Sequence, residues 1–168
     1  PNLLSCPIGT AATPIPTSLA GNSQYVTRDY DHNFIQGVLP WRLGWDESSA
    51  RTIRMTYTFT TPVAHSAAQA MGMWVWIENV SKINRITLRL KHPDASTSTP
   101  DTFNTTHKQG TLRNGLNLLY WQTRGLRGAG FGSISSIEID VLVNVNTASY
   151  ITPLCVFLDV PQKARAIF

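Results

Sequence analysis

In the segment Thr52–Phe59, TIRMTYTF, every second residue is apolar: Ile53, Met55, Tyr57 and Phe59 alternate with Thr52, Arg54, Thr56 and Thr58. A period of two sends one set to each face of an extended chain, so the segment predicts a strand with one buried and one wet face. The period recurs. Ile86, Leu88 and Leu90 oppose Arg85, Thr87 and Arg89, and Ile137, Ile139, Val141 and Val143 oppose the outward Glu138 and Asp140. Met71–Ile77, MGMWVWI, is apolar on both faces and predicts a central strand covered on both sides, with Trp74 and Trp76 in the core. Leu116–Gln122 and Ile151–Val160 add two strands, the second interrupted by Pro153, and Gln24–Thr27 adds a short one. No window sustains a helical period; the best is Ala64–Ala70, roughly two turns. The expected fold is all-β: a two-sheet antiparallel β-sandwich, a jelly roll.

The regular pattern begins only near residue 50. Pro7, Pro14, Pro16, Gly9 and Gly21 break the earlier chain, and Pro40–Trp45, PWRLGW, reads as a turn or loop carrying two tryptophans. The expected organisation is therefore an irregular segment 1–50 packed on the sandwich, a core over 51–160, and a linker 161–168 entering a following domain. His92–Gly110 reads as a polar loop or hairpin excursion, and Gly125–Gly132 as a flexible connection. The start at Pro1, with no leader, matches a processed or excised fragment.

Only 14% of the residues are charged, so Thr, Ser, Asn and Gln must cover the wet faces. That balance points to an extracellular, cell-surface or virion module rather than a helical cytosolic enzyme. The net charge of +4 comes from scattered Lys and Arg, without the basic run of a nucleic-acid arm. No apolar run is long enough for a membrane span. Cys6 and Cys155 stand far apart; either they are two small buried hydrophobes or they form a disulfide worth about 4–5 kcal/mol in the chain-entropy model.

Catalytic constellations are scarce. Glu138 and Asp140 share a strand face as a glycosidase pair would, but alternating acids on a solvated strand are the commoner explanation. Gly128-Ala-Gly130-Phe-Gly132 leads into a strand rather than a helix, unlike a phosphate-binding loop. Asp29 and Asp31, in DYDHN, offer oxygen ligands for a structural calcium ion or else form a polar turn; no other cofactor is expected. The five tryptophans carry more information, because aromatic faces stack on the C–H faces of sugar rings while polar neighbours bond the hydroxyls. Trp41, Arg42 and Trp45 form one candidate carbohydrate platform, against a loop plug over the end of the sandwich. Tyr120, Trp121 and Arg124 form a second. On this reading Trp45→Ala weakens glycan retention without lowering the melting temperature.

Met73-Trp-Val-Trp-Ile-Glu-Asn79 followed by Ile83–Leu90 resembles the paired strands of galactose-binding-like jelly rolls. Leu112–Leu119, Ile134–Val141 and Val156–Asp159 are similar to the later strands of those modules. The tail Pro161–Phe168, PQKARAIF, resembles the linker and first barrel strand of polysaccharide deacetylases, whose Thr-Phe-Asp-Asp-Gly motif has no counterpart here. Together these resemblances imply a non-catalytic carbohydrate-binding or substrate-positioning domain beside a catalytic one, with a polysaccharide or cell-surface glycan as partner. The alternative is a structural or oligomerisation module of a viral tail, capsid or cell-surface assembly, for which a homo-oligomer is expected. A stand-alone hydrolase would need clustered carboxylates that the sequence does not display.

Overall fold

A computed structural model of the chain describes residues 2–4, 17–18, 24–32, 40–46, 51–64, 70–95, 97–98, 102–104, 111–122, 133–144 and 148–159. Cys6, residues 65–69, Arg124, the glycine-rich 125–132 and the tail 161–168 lie outside these, and so do the expectations that rest on them. The strands are β1 (Asn2–Leu4), β2 (Thr17–Ser18), β3 (Gln24–Arg28), β4 (Trp41–Trp45), β5 (Arg51–Ala64) and β6 (Ala70–Ile77). After a 3-10 turn at Val80–Lys82 come β7 (Ile83–Lys91), β8 (Thr97–Ser98), β9 (Thr102–Asn104), β10 (Gly115–Gln122), β11 (Ser133–Val143) and β12 (Ser149–Asp159).

They form two antiparallel sheets. Sheet A runs β10-β6-β12-β4-β3, with β1 also pairing β12; sheet B runs β2-β5-β11-β7-β8, with β9 also pairing β7. The expected β-sandwich is the observed architecture. Its core lies between the sheets and is built from the alternating positions: Ile53, Met55 and Tyr57 on β5, Ile86, Leu88 and Leu90 on β7, and Ile137, Ile139, Val141 and Val143 on β11. Leu43, Trp45, Met73, Val75, Ile77, Leu119, Ile151 and Val156 fill it from sheet A.

Three expectations need correction. Residues 40–45 are not a loop: β4 is held by β3 along its whole length and by β12 at Leu43–Trp45. The chain before residue 51 therefore supplies three strands of sheet A, β1, β3 and β4, and β2 of sheet B, rather than packing irregularly on a finished sandwich. Pairing from both sides outweighs the weak strand pattern that Pro40 and Gly44 leave. Second, β6 is central, between β10 and β12, but is not covered on both sides. Met73, Val75 and Ile77 are buried, whereas Trp74 stays 38% exposed and Trp76 half-buried on the outer face. Third, Glu138 and Asp140 share the outer face of sheet B but are buried there, not solvated. The Arg54 guanidinium reaches Asp140 at 2.5 and 2.8 Å and lies 3.5 Å from Glu138. Arg89, 3.4 Å from Glu138, and Lys91, 3.6 Å from it, complete a layer of cations over the two acids.

One side chain joins the sheets at their rim. Gln24 of β3 donates from Nε2 to the Arg54 carbonyl and accepts the Arg54 N–H at Oε1, both at 3.2 Å. Its amide thus pairs with the backbone of β5 as a neighbouring strand would.

Candidate functional site

The pleat divides the side chains of sheet A into two sets. Outward stand Tyr25 and Thr27 on β3, Arg42 and Gly44 on β4, Tyr150 and Thr152 on β12, Trp74 and Trp76 on β6, and Leu116, Leu118 and Tyr120 on β10. Strand register places Trp76 between Thr152 and Leu116, and Trp74 between Cys155 and Leu118. Tyr25 lies opposite Gly44, which in turn faces Tyr150. Five strands at about 4.8 Å spacing give this face a width of roughly 19 Å.

Gly44 has a specific reason to lack a side chain. The hydroxyl end of the Tyr25 ring lies over it, and a Cβ there would stand 2.2 Å from Tyr25 Cζ. In register, Tyr25, Gly44 and Tyr150 follow one another across β3, β4 and β12.

Residues 29–32 cross this face and are fastened to it. The Asp29 N–H donates to the Pro40 carbonyl at 2.9 Å, extending the β3–β4 ladder. The chain then turns, with Asp29 Oδ1 accepting the backbone N–H of Asp31 at 3.0 Å and of His32 at 3.3 Å. Asp29 is fully buried. Its carboxylate also accepts from Arg42 Nη2 and from His32 Nδ1, each at 2.8 Å, and from the Thr152 hydroxyl. Burial alone would raise its pKa. The hydrogen bonds from Arg42, Thr152, His32 and the Asp31 backbone more than offset that and hold the carboxyl well below the ordinary range. Arg42 Nη2 bridges to the exposed Asp31 at 2.8 Å, and its guanidinium stacks 3.9 Å above the Tyr150 ring. His32 stacks on Trp76 with ring centres 4.4 Å apart. The network holds Tyr30, 72% exposed, out in solvent.

The proposed platform of Trp41, Arg42 and Trp45 is split by the strand on which it sits. Trp45 is 0% exposed, in the core between the sheets, and cannot meet a ligand. Trp41 packs against that core with the Arg28 guanidinium 3.9 Å from its ring centre. Arg42 alone points outward. In the second platform, Tyr120 stands half-buried on the outer face; the Trp121 side chain and Arg124 lie outside the described residues. Asp29 and Asp31 do come together, around the Arg42 guanidinium. Among the described residues no group of three or more His, Cys, Asp or Glu is arranged to hold a metal ion.

The sequence reading missed Trp74, Trp76, Tyr25, Tyr30 and Tyr150. The arrangement they make can stack flat apolar surfaces along several strands, while Asp31, Arg42 and Glu78 flank it with acceptors and donors. Among the described residues the only pair of neighbouring carboxylates on the opposite sheet, Glu138 and Asp140, is engaged by Arg54, Arg89 and Lys91.

No protein-family model matches the chain, and no curated protein matches it. Among solved structures it is similar to PfGH50B, at 13% identity and a TM-score of 0.59 over 88% of this chain. It is similar as well to an exo-β-agarase, at 8% identity and a TM-score of 0.58 over 89% of this chain. The chain spans only 22% and 24% of those two proteins. A carbohydrate-binding module specific for non-crystalline cellulose, CBM28, matches at 13% identity and a TM-score of 0.53, with 80% of this chain and 79% of the module covered. At such identities the likeness establishes a shared jelly-roll fold.

Proposed function

We propose that the outer face of sheet A binds a polysaccharide, and that the chain is a non-catalytic carbohydrate-binding domain. The observation that carries this reading is the outward placement of Trp74 and Trp76 on a central strand. A buried strand position holds such rings at no cost, whereas on an outer face they leave apolar surface in water that a ligand can cover. Tyr25, and the parts of Trp76 and Tyr150 that His32 and Arg42 leave uncovered, extend the surface across the sheet. Pyranose C–H faces stack on these rings, and hydroxyls bond Asp31, Glu78 and the edge of Arg42. The network under Asp29 holds the rings and the crossing turn in place before any ligand arrives, so little ordering is left for binding to supply. That the fold also serves a cellulose-specific module supports the reading. An exported location and a neighbouring catalytic domain, of the deacetylase type that residues 161–168 resemble, complete the proposal.

Affinity electrophoresis against a panel of soluble neutral and acidic polysaccharides tests it. At least one polymer is expected to retard the parent chain, and Trp74→Ala to restore its free mobility. Equal retardation of parent and variant, or no retardation by any polymer, would remove this face as the site.

A further inference from the structure

The turn at residues 29–32 is fastened to outward side chains of three strands. The Asp29 carboxylate accepts from Arg42 on β4 and Thr152 on β12, and the His32 ring stacks on Trp76 of β6. The backbone between them, at Tyr30 and Asp31, therefore passes on the solvent side of sheet A, above β4 and β12. Burial follows the same division: Asp29 and His32 are buried, whereas Tyr30 and Asp31 are exposed. Asp29 holds more hydrogen bonds than a turn needs. Those from the backbone N–H groups of Asp31 and His32 close it, as the side chain of a turn aspartate commonly does. Those from Arg42 and Thr152 add nothing to its closure; they fix where the turn lies. Taking a carboxylate fully out of water is costly, and what its partners secure at the surface is Tyr30 and Asp31.

We propose that Tyr30 is a further ligand-contacting ring, and that Asp29, through Thr152, is the residue that positions it. This role rests on the glycan reading of the same face. An exposed tyrosine is ordinary by itself. One carried on a backbone pinned from beneath is not, because a ring on a backbone already held loses less freedom on meeting a ligand. Its place suits the role as well. Tyr30 stands two residues from His32, at most about 7 Å along the chain, and His32 lies against Trp76. A sugar unit on the outer side of β6 is therefore within reach of the Tyr30 ring. A network that served only to tie β4 to β12 would leave affinity indifferent to Tyr30.

Affinity electrophoresis of the full chain against the same panel of soluble polysaccharides, hydroxyethylcellulose, xylan and alginate among them, gives the Kd of each variant for a polymer that retards the parent. Tyr30→Ala is expected to weaken binding about fivefold, and Tyr30→Phe, which keeps the ring, to stay within about twofold of the parent. Thr152→Val keeps the shape of the side chain and removes its hydrogen bond to Asp29. It is expected to weaken binding about threefold in the parent and not at all in the Tyr30→Ala background, while the melting temperature shifts equally in both. Retardation lost in Trp74→Ala but unchanged in Tyr30→Ala overturns the role of Tyr30 and leaves the glycan reading standing. An equal loss on Thr152→Val with and without Tyr30 overturns the positioning role. No retardation of the parent by any polymer of the panel overturns both roles together with the reading they rest on.

Discussion

Replacing Trp45 and Trp74 by alanine, one at a time, separates the two positions that tryptophan takes on this sandwich. Trp45 is fully enclosed in the core. Truncating a buried tryptophan costs about 3–5 kcal/mol through lost burial and the cavity left behind. At about 2–4 °C per kcal/mol for a domain of this size, the melting temperature falls by roughly 6–20 °C. Trp74 is 38% exposed, which leaves about 90 Å² of its surface for a ligand to cover. At about 25 cal/mol per Å² that contact is worth roughly 2 kcal/mol, or about 30-fold in Kd. Its loss costs the fold no more than about 1 kcal/mol, the ordinary scale for a surface position. Scanning calorimetry and titration calorimetry with the polymer selected by electrophoresis therefore give opposite signatures. Trp45→Ala melts early but, below its transition, binds like the parent; Trp74→Ala melts near the parent and binds weakly. A Trp45→Ala chain with the parent's melting temperature would refute the burial argument. A Trp74→Ala chain of full affinity would refute the assignment of the face.

Gly44→Ala drives a Cβ into the 38% exposed Tyr25 ring, which must shift; the expected result is a melting temperature within a few degrees of the parent and a several-fold weaker Kd, read by titration calorimetry. Asp29 supplies the clearest pH dependence. Its folded pKa lies below the ordinary value of 3.8, so its stabilisation is complete above about pH 4 and is lost as pH falls through the folded value. Chemical denaturation between pH 7 and pH 2 is expected to show that loss in the parent and not in Asp29→Asn, which begins about 3 kcal/mol less stable because Arg42 loses its buried partner. Arg54→Ala uncovers two buried carboxylates and is expected to cost about 3–5 kcal/mol in the same assay while polysaccharide affinity stays at the parent value.

Much of the sandwich is legible in alternation. Ile53–Phe59 of β5, Ile86–Leu90 of β7 and Ile137–Val141 of β11 carry a strict period of two with apolar residues on one face only, and such stretches have one way to lie. β4 escapes the same reading because its five residues include glycine, arginine and two tryptophans. What makes it a strand is the ladder offered by β3 and β12, partners close to it only once the chain has folded. The Asp29 network is hidden for the same reason: Arg42 is 13 residues away and Thr152 is 123. No local spacing connects them, although each residue is an ordinary partner for a carboxylate. Trp74 and Trp76 present a different difficulty. A period of two sorts side chains into faces without saying which face is inward, and in MGMWVWI both sets are apolar. The deciding facts are the neighbours in register, Thr152 beside Trp76 and the exposed Leu118 beside Trp74, which belong to strands far away in the sequence.

The two outer faces explain why so few charges suffice. On sheet B, Arg54, Arg89 and Lys91 close over Glu138 and Asp140, so a large part of the ionic content is spent on satisfying itself. Such a face is already paired and offers a partner little that water does not. On sheet A, Arg42 is likewise consumed, by Asp29, Asp31 and the Tyr150 ring, and what remains at the surface is mainly aromatic and aliphatic. An anionic ligand would find Arg42 already engaged and the exposed Asp31 and Glu78 opposing it. A neutral ligand with a flat apolar side and hydroxyls at its rim finds rings to cover and acceptors beside them. The basic balance of the whole chain, +4, is therefore a poor guide to what its binding face prefers. What decides is how the charges at that surface are engaged: among the described residues of the outer face Arg42 is held between two carboxylates, while Asp31 and Glu78 stay exposed.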